Sequence, residues 1–355
     1  MPGTAPGTVF GTGVRLTAVK DRLLRGAARA ALVDPIARVL GRRRQRGVEQ
    51  ELDPQVAAVL ELQRLLGLPA LDSMEPVPAR RFAEEGLSPL DIDPVPMAEI
   101  IDTTVEGHRC TIPVRIYVPH GAGPHWIVYL HGGGGVIGSI RSSEPVTRHL
   151  AAQTGATVAS VGYRLGPEHR HPAAIDDACA AWNAIAARAG RRAHIAVAGD
   201  SFGGFLAAHV ERAVIRQPDL QILIYPIVDM TLTSPSLDRN GEGYLLTRAM
   251  THWFRGHYLH SDDDRRAISP LYWPDLRGAA PAIVTTAGYD PLVDEGDAYA
   301  ARLRDAGVTV RHRRFSSLIH GYVSLAGAVR AARAALDQTC ADARELLAAP
   351  PDSRP

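Results

Sequence analysis

Gly199-Asp200-Ser201-Phe202-Gly203 directly follows the apolar run Ile195-Ala196-Val197-Ala198 and leads into a helix-like stretch. A strand, a tight turn and a helix in that order push the central side chain outward, so Ser201 reads as a nucleophile. Glycines flank it because a side chain at either position would collide with the neighbouring strand or helix backbone.

A second motif lies upstream, where His131-Gly132-Gly133-Gly134-Gly135 follows the strand-like Trp126-Ile127-Val128-Tyr129-Leu130. Four glycines in a row carry no Cβ atoms, so several N–H groups can turn toward one point and meet the charge that develops on a carbonyl oxygen during acyl transfer. A phosphate cradle would need a Gly-Lys-Ser/Thr ending or a Gly-x-Gly-x-x-Gly opening. Gly135 is instead followed by Val136-Ile137-Gly138-Ser139, with no lysine.

A serine nucleophile needs a base, and the base needs an acceptor that fixes its tautomer. Downstream, Asp290 follows the strand-like run 282–287, and His320 follows the strand-like run 308–311. Loops at the carboxyl ends of parallel strands share one edge of a sheet, which brings such residues together beside the nucleophile. Asp294 and Glu295 compete for the acid role, but both sit where carboxylates open a helix. His131 reads as an organiser of its loop and Asp200 as a support of the turn.

Eight strand candidates cover 99–104, 113–118, 126–131, 157–163, 194–199, 221–225, 282–287 and 308–314. Helix-like segments at 145–153, 173–188, 202–216, 294–306 and 323–347 alternate with the later ones, the rhythm of a parallel sheet covered on both faces. The first three strands lack helices between them and are expected to pair antiparallel at one edge. Outside this rhythm lie a helix-like stretch at 54–66, a proline-punctuated stretch at 68–96 that reads as a lid strand or loop, and an interruption from Asp229 to Pro270.

With Tyr163-Arg164-Leu165-Gly166-Pro167-Glu168-His169, Asp290-Pro291-Leu292 and His320-Gly321, these motifs make the chain resemble the hormone-sensitive-lipase-like carboxylesterases of the α/β-hydrolase fold. The likeness covers about 97–348. It implies an eight-stranded, mostly parallel sheet flanked by helices. Residues 97–355 would form the catalytic domain, with a helical cap built from residues 1–96 and an insertion at about 229–270. It further implies catalytic Ser201, Asp290 and His320, with an oxyanion hole made by Gly133, Gly134 and Phe202. The expected activity is hydrolysis of short- to medium-chain acyl esters through an acyl-enzyme, with no cofactor and no metal. Gly135, Tyr225, Leu245, Trp253 and Phe254 are the candidates for contact with the substrate. The family commonly has alanine where this chain has Phe202 and an aromatic residue where it has Gly135, so the two departures could compensate. Other readings are a non-catalytic small-molecule receptor on the same scaffold, an amidase or lactonase, and an interfacial lipase.

A net charge of +1 gives no pull toward nucleic acid. Cys110, Cys179 and Cys340 are scattered without metal-like spacing and read as reduced thiols of a cytoplasmic protein. No apolar run approaches the roughly 20 residues that span a bilayer. From Arg15 to Arg46, ten arginines and lysines face only Asp21 and Asp34, with Leu23, Leu24, Ala27, Ala31 and Leu32 on an apolar stripe. A helix docked on the cap is the first reading of this stretch, and peripheral contact with an anionic membrane surface is the second. The partner is a small ester, and monomer and dimer both remain open.

Overall fold

The computed structural model describes residues 32–41, 52–108 and 110–348. Of the basic N-terminal stripe, Leu32 is buried, while Leu23, Leu24, Ala27 and Ala31 lie outside the described residues. The eight strands are β1 (Glu99–Glu106), β2 (Thr111–Val118), β3 (Trp126–Leu130), β4 (Thr157–Val161), β5 (Ile195–Asp200), β6 (Leu220–Ile224), β7 (Ala282–Tyr289) and β8 (Val310–Ile319). They form one sheet in the order β1-β2-β4-β3-β5-β6-β7-β8.

The edge differs from the sequence expectation. Only β2 runs against its neighbours, antiparallel to both β1 and β4, while β3 sits inside the sheet, parallel to β4 and β5. Burial explains the placement of β3. Its residues 127–130 are fully covered, as suits a central strand with helices on both faces, whereas β1 alternates between exposed and half-buried positions.

The two faces of the sheet take alternate residues of each strand. Ile127 and Tyr129 of β3 pack with helices α2 (Pro54–Leu65), α4 (Glu144–Thr154) and α10 (Arg330–Ala348). Val128 and Leu130 pack on the other side with α5 (Ala173–Ala189), α6 (Phe202–Ala213) and α9 (Val293–Asp305). Helix α2 starts cleanly because Pro54 opens it and the Asp53 carboxylate accepts the N–H groups of Gln55 and Val56 at 2.8 and 3.1 Å. The short α1 (Asp34–Gly41) packs against it.

Two further segments depart from expectation. The stretch 68–96 is largely helical: a 3₁₀ turn at Leu71–Ser73, helix α3 (Pro76–Leu87) and a second turn at Ser88–Leu90. Pro76 and Pro78 fall in the first turn of α3, where a missing N–H costs nothing, so the prolines start a helix instead of preventing one. The expected helix 323–347 is broken into a 3₁₀ turn at Tyr322–Leu325 and α10. The break is at Gly327, whose N–H donates to the Leu90 carbonyl at 3.0 Å.

Between β6 and β7 the chain adds α7 (Pro235–Asn240) and α8 (Arg248–Tyr258). Leu71, Ala79, Leu246 and Phe254 from the two outlying segments meet Val136 and Leu292 in a small core of their own above the sheet. Among the described residues, no helix is long and apolar enough to cross a membrane.

Candidate active site

Ser201 stands at the end of β5 with φ 54° and ψ −114°, a conformation that L residues rarely adopt. Its N–H donates to the Ile224 carbonyl at 2.8 Å, tying the turn to β6. A Cβ on Gly199 would lie 2.3 Å from the Gly203 backbone, and one on Gly203 would lie 1.8 Å from the Leu130 carbonyl oxygen. Both glycines are therefore required by space. The strain at Ser201 is held by the strand before it and the helix after it.

The loops after β7 and β8 bring the other two candidates to this turn. His320 Nε2 lies 2.9 Å from Ser201 Oγ, and its Nδ1 lies 2.7 Å from Asp290 Oδ2. With Nδ1–H donating to the carboxylate, Nε2 is the acceptor for the serine hydroxyl. The other Asp290 oxygen accepts the Leu292 N–H at 2.8 Å, and the residue is only 1% exposed, so the carboxylate cannot turn away. The competing acids stand elsewhere. Asp294 pairs with Arg239 at 2.7 Å, and Glu295 accepts the Val228 and Asp229 N–H groups. Burial pushes the Glu295 carboxyl well above its usual range, against the pull of those two donors.

The glycine loop lies alongside. The N–H of Gly132 is taken by Asp200 Oδ1 at 2.8 Å, and the Tyr129 hydroxyl donates to the same oxygen at 2.7 Å. Burial raises the Asp200 pKa, and those two donors oppose the shift. The N–H groups of Gly133, Gly134 and Phe202 meet no acceptor among the described residues, and all three residues border the cavity that holds Ser201 and His320. Donors left open at such a place are what an incoming oxyanion requires. His131 is buried, its pKa driven down to about 4 by desolvation against a bond to the Gly132 carbonyl. It stacks on Tyr163 with 4.2 Å between ring centroids, and it organises the loop as a neutral ring.

Residues 127–324 match the family described as the α/β hydrolase fold. The chain belongs to the α/β-hydrolase family. It is 36% identical over 294 residues to the carboxylic ester hydrolase LipN of Mycobacterium tuberculosis, covering 77% of each chain. It is 35% identical over 306 residues to an ethyl acetate hydrolase of Pseudomonas putida, covering 79% of this chain and 95% of that one. Among solved structures, it resembles an ester hydrolase from the metagenome of Lake Arreo, bound to a bipyridine phosphonate derivative. That likeness has a TM-score of 0.79 at 36% identity and covers 83% of this chain and 98% of the other. A hyperthermophilic esterase from Pyrobaculum calidifontis matches with a TM-score of 0.78 at 34% identity over 84% of this chain and all of its own. The resemblance drawn from the motifs is borne out: this α/β-hydrolase is a carboxylic ester hydrolase.

The α/β-hydrolase cavity has a volume of about 610 Å³, within the usual range for small-molecule sites. Its floor is Ser201, His320, Gly133 and Gly134, and its walls come from the N-terminal segment (Leu60 to Asp72, Phe82) and the 229–270 insertion. Of the five expected contact residues, Tyr225, Leu245 and Phe254 line it. Gly135 and Trp253 do not. The face of α8 that meets the cavity runs through Thr247, Met250, Thr251, Phe254 and Tyr258, a helical spacing that turns Trp253 aside into edge-to-face contacts with Phe254 and His257. Gly135 lies behind the loop, where a Cβ would come within 2.8 Å of Phe202 Cζ and 2.9 Å of Tyr258 Cδ2. The Phe202 ring thus occupies the space that a side chain at 135 would take.

Sequence reading missed several neighbours of the site. Tyr129 braces Asp200, and Arg80 bonds the glycine loop. Tyr129 sits in a strand whose face could be read, but no local pattern marks Arg80, 56 residues away from its partner Val136. Among the described residues, no group of three or more His, Cys, Asp or Glu is arranged to hold a metal ion.

Proposed function

We propose that this carboxylic ester hydrolase acts on short- to medium-chain acyl esters through an acyl-enzyme formed on Ser201. His320 takes the serine proton as the hydroxyl oxygen attacks the carbonyl, and Asp290 stabilises the imidazolium and holds its tautomer. The charge that develops on the carbonyl oxygen falls to the N–H groups of Gly133, Gly134 and Phe202. His320 then returns the proton to the leaving alcohol, and water repeats the attack on the acyl group.

The observation that carries this reading is the unbroken chain of contacts from Asp290 through His320 to Ser201, opening onto an apolar cavity beside unpaired backbone donors. In this reading residues 97–355 are the catalytic domain, and the cap combines the N-terminal 96 residues with the 229–270 insertion. Helix α2 nonetheless packs into the main core, and Gln55 donates to the carbonyls of Leu32 and Ala328, so the N-terminal segment is anchored in the body of the protein. The three free thiols favour a reducing compartment and hence the cytoplasm.

Hydrolysis of p-nitrophenyl esters from acetyl to palmitoyl tests the reading. The bounded cavity predicts that kcat/KM peaks below the longest chains. Saturation on long-chain triglyceride emulsions, with little turnover of dissolved short esters, would replace it with a lipase.

A further inference from the structure

We propose that Arg80 is a positioning residue for the oxyanion loop. Helix α3, through one guanidinium, fixes the backbone that presents Gly133 and Gly134 to the reacting carbonyl. The inference rests on the esterase reading above and assigns a role to a residue outside its triad and oxyanion donors.

A run of four glycines has no side chains with which to hold its own shape, and Gly133, Gly134 and Gly135 all take positive φ, at 116°, 61° and 74°. Something outside the run must select that conformation. Two bonds are internal, from the N–H groups of Val136 and Ile137 to the Gly133 carbonyl. The others come from neighbours. Arg80 Nε donates to the Val136 carbonyl at 2.8 Å, and its Nη2 donates to the Gly166 carbonyl at 2.7 Å. The Gly166 N–H in turn donates to the Gly135 carbonyl at 2.8 Å. One planar fork therefore joins two loops that are already bonded to each other, and together they fix the carbonyls at 135 and 136.

The fork is itself held. Glu168 accepts from both terminal nitrogens of Arg80, at 2.9 and 2.6 Å, which sets the guanidinium plane. One turn further along α3, Glu84 accepts the hydroxyl of Ser139 at the far end of the same loop. Val136 is fully buried with Arg80 in place, and the guanidinium is the donor its carbonyl meets. A lysine could reach one carbonyl but could not bridge two.

The test compares Arg80→Met, Arg80→Lys and Glu168→Gln with the native enzyme on p-nitrophenyl butyrate. A trifluoromethyl ketone, whose adduct places an oxyanion in the hole, supplies the second readout. Loss of a donor's alignment, short of loss of the donor, predicts a fall in kcat of about ten- to hundredfold for Arg80→Met, with KM within about threefold. The ketone's inhibition constant should rise in parallel, Arg80→Lys should fall between, and Glu168→Gln, which loosens the guanidinium plane but keeps its donors, should show a smaller loss than Arg80→Met. Arg80→Lys carries the comparison if the methionine variant does not fold. Native kcat in the Arg80 variants overturns the proposal, as does a lower kcat with unchanged ketone affinity. Equal losses in Glu168→Gln and Arg80→Met overturn it too, because they would assign the effect to the ion pair. Failure of the native protein to hydrolyse any ester would instead overturn the esterase reading.

Discussion

Single residues set the chemistry here through what they exclude as much as through what they contact. Asp290 fixes the His320 ring, so Asp290→Asn should lower kcat by about 10³- to 10⁴-fold while the thermal midpoint stays near that of the native protein. Near-normal turnover would move the acid role to another carboxylate. Gly135 and Phe202 make a second residue-scale case. Gly135→Ala adds a Cβ 2.8 Å from the Phe202 ring at a φ of 74°, and should destabilise by about 1–3 kcal/mol in urea unfolding. In the Phe202→Ala background the part of that cost due to the Phe202 ring should vanish, leaving the Tyr258 contact and the backbone strain, so a double-mutant cycle should show coupling. Strict additivity would mean that the ring and the glycine are independent.

At the scale of elements, the sheet was largely legible because its central strands are apolar runs bounded by turn residues, and Ser201 and Asp290 were legible because each follows such a run, whereas His320 follows the arginine-rich β8. What escaped was tertiary. The position of β3 depends on which strand pairs with β2, and β4 takes that place although it comes later in the chain. The helicity of 76–87 was hidden by prolines that fall in its first turn. Trp253 and Phe254 are adjacent in sequence, and only the direction in which α8 packs shows which of them meets the cavity. Gly327 is similar: it interrupts a helical pattern because the chain must pass Asp91, where a Cβ would sit 1.9 Å from the carbonyl oxygen. Gly327→Ala should therefore cost about 2–4 kcal/mol in urea unfolding, far above the usual gain from alanine at a helical site. A stabilised variant would show that the approach of the two segments is adjustable.

Across the whole molecule, buried imidazoles tie stability to pH. Desolvation lowers His131 to about 4 and His209 to about 4, each opposed by a bond to a backbone carbonyl. An unfolded chain protonates both near pH 6.5, whereas the folded protein holds them neutral until about pH 4. Over that window the unfolded state binds more protons, so stability falls as pH falls, by up to ~1.4 kcal/mol per pH unit for each ring. Urea unfolding at successive pH values should show this slope, and His209→Gln should remove its own share. An unchanged slope in that variant would mean that the ring is protonated in the folded state.

The central claim is that Ser201, His320 and Asp290 act as one relay, and labelling with a fluorophosphonate tests it most directly. Intact mass should show a single adduct, peptide mapping should place it on Ser201, and His320→Ala should slow the labelling by at least about a hundredfold. An adduct on another residue, or labelling of His320→Ala at the native rate, would contradict the account.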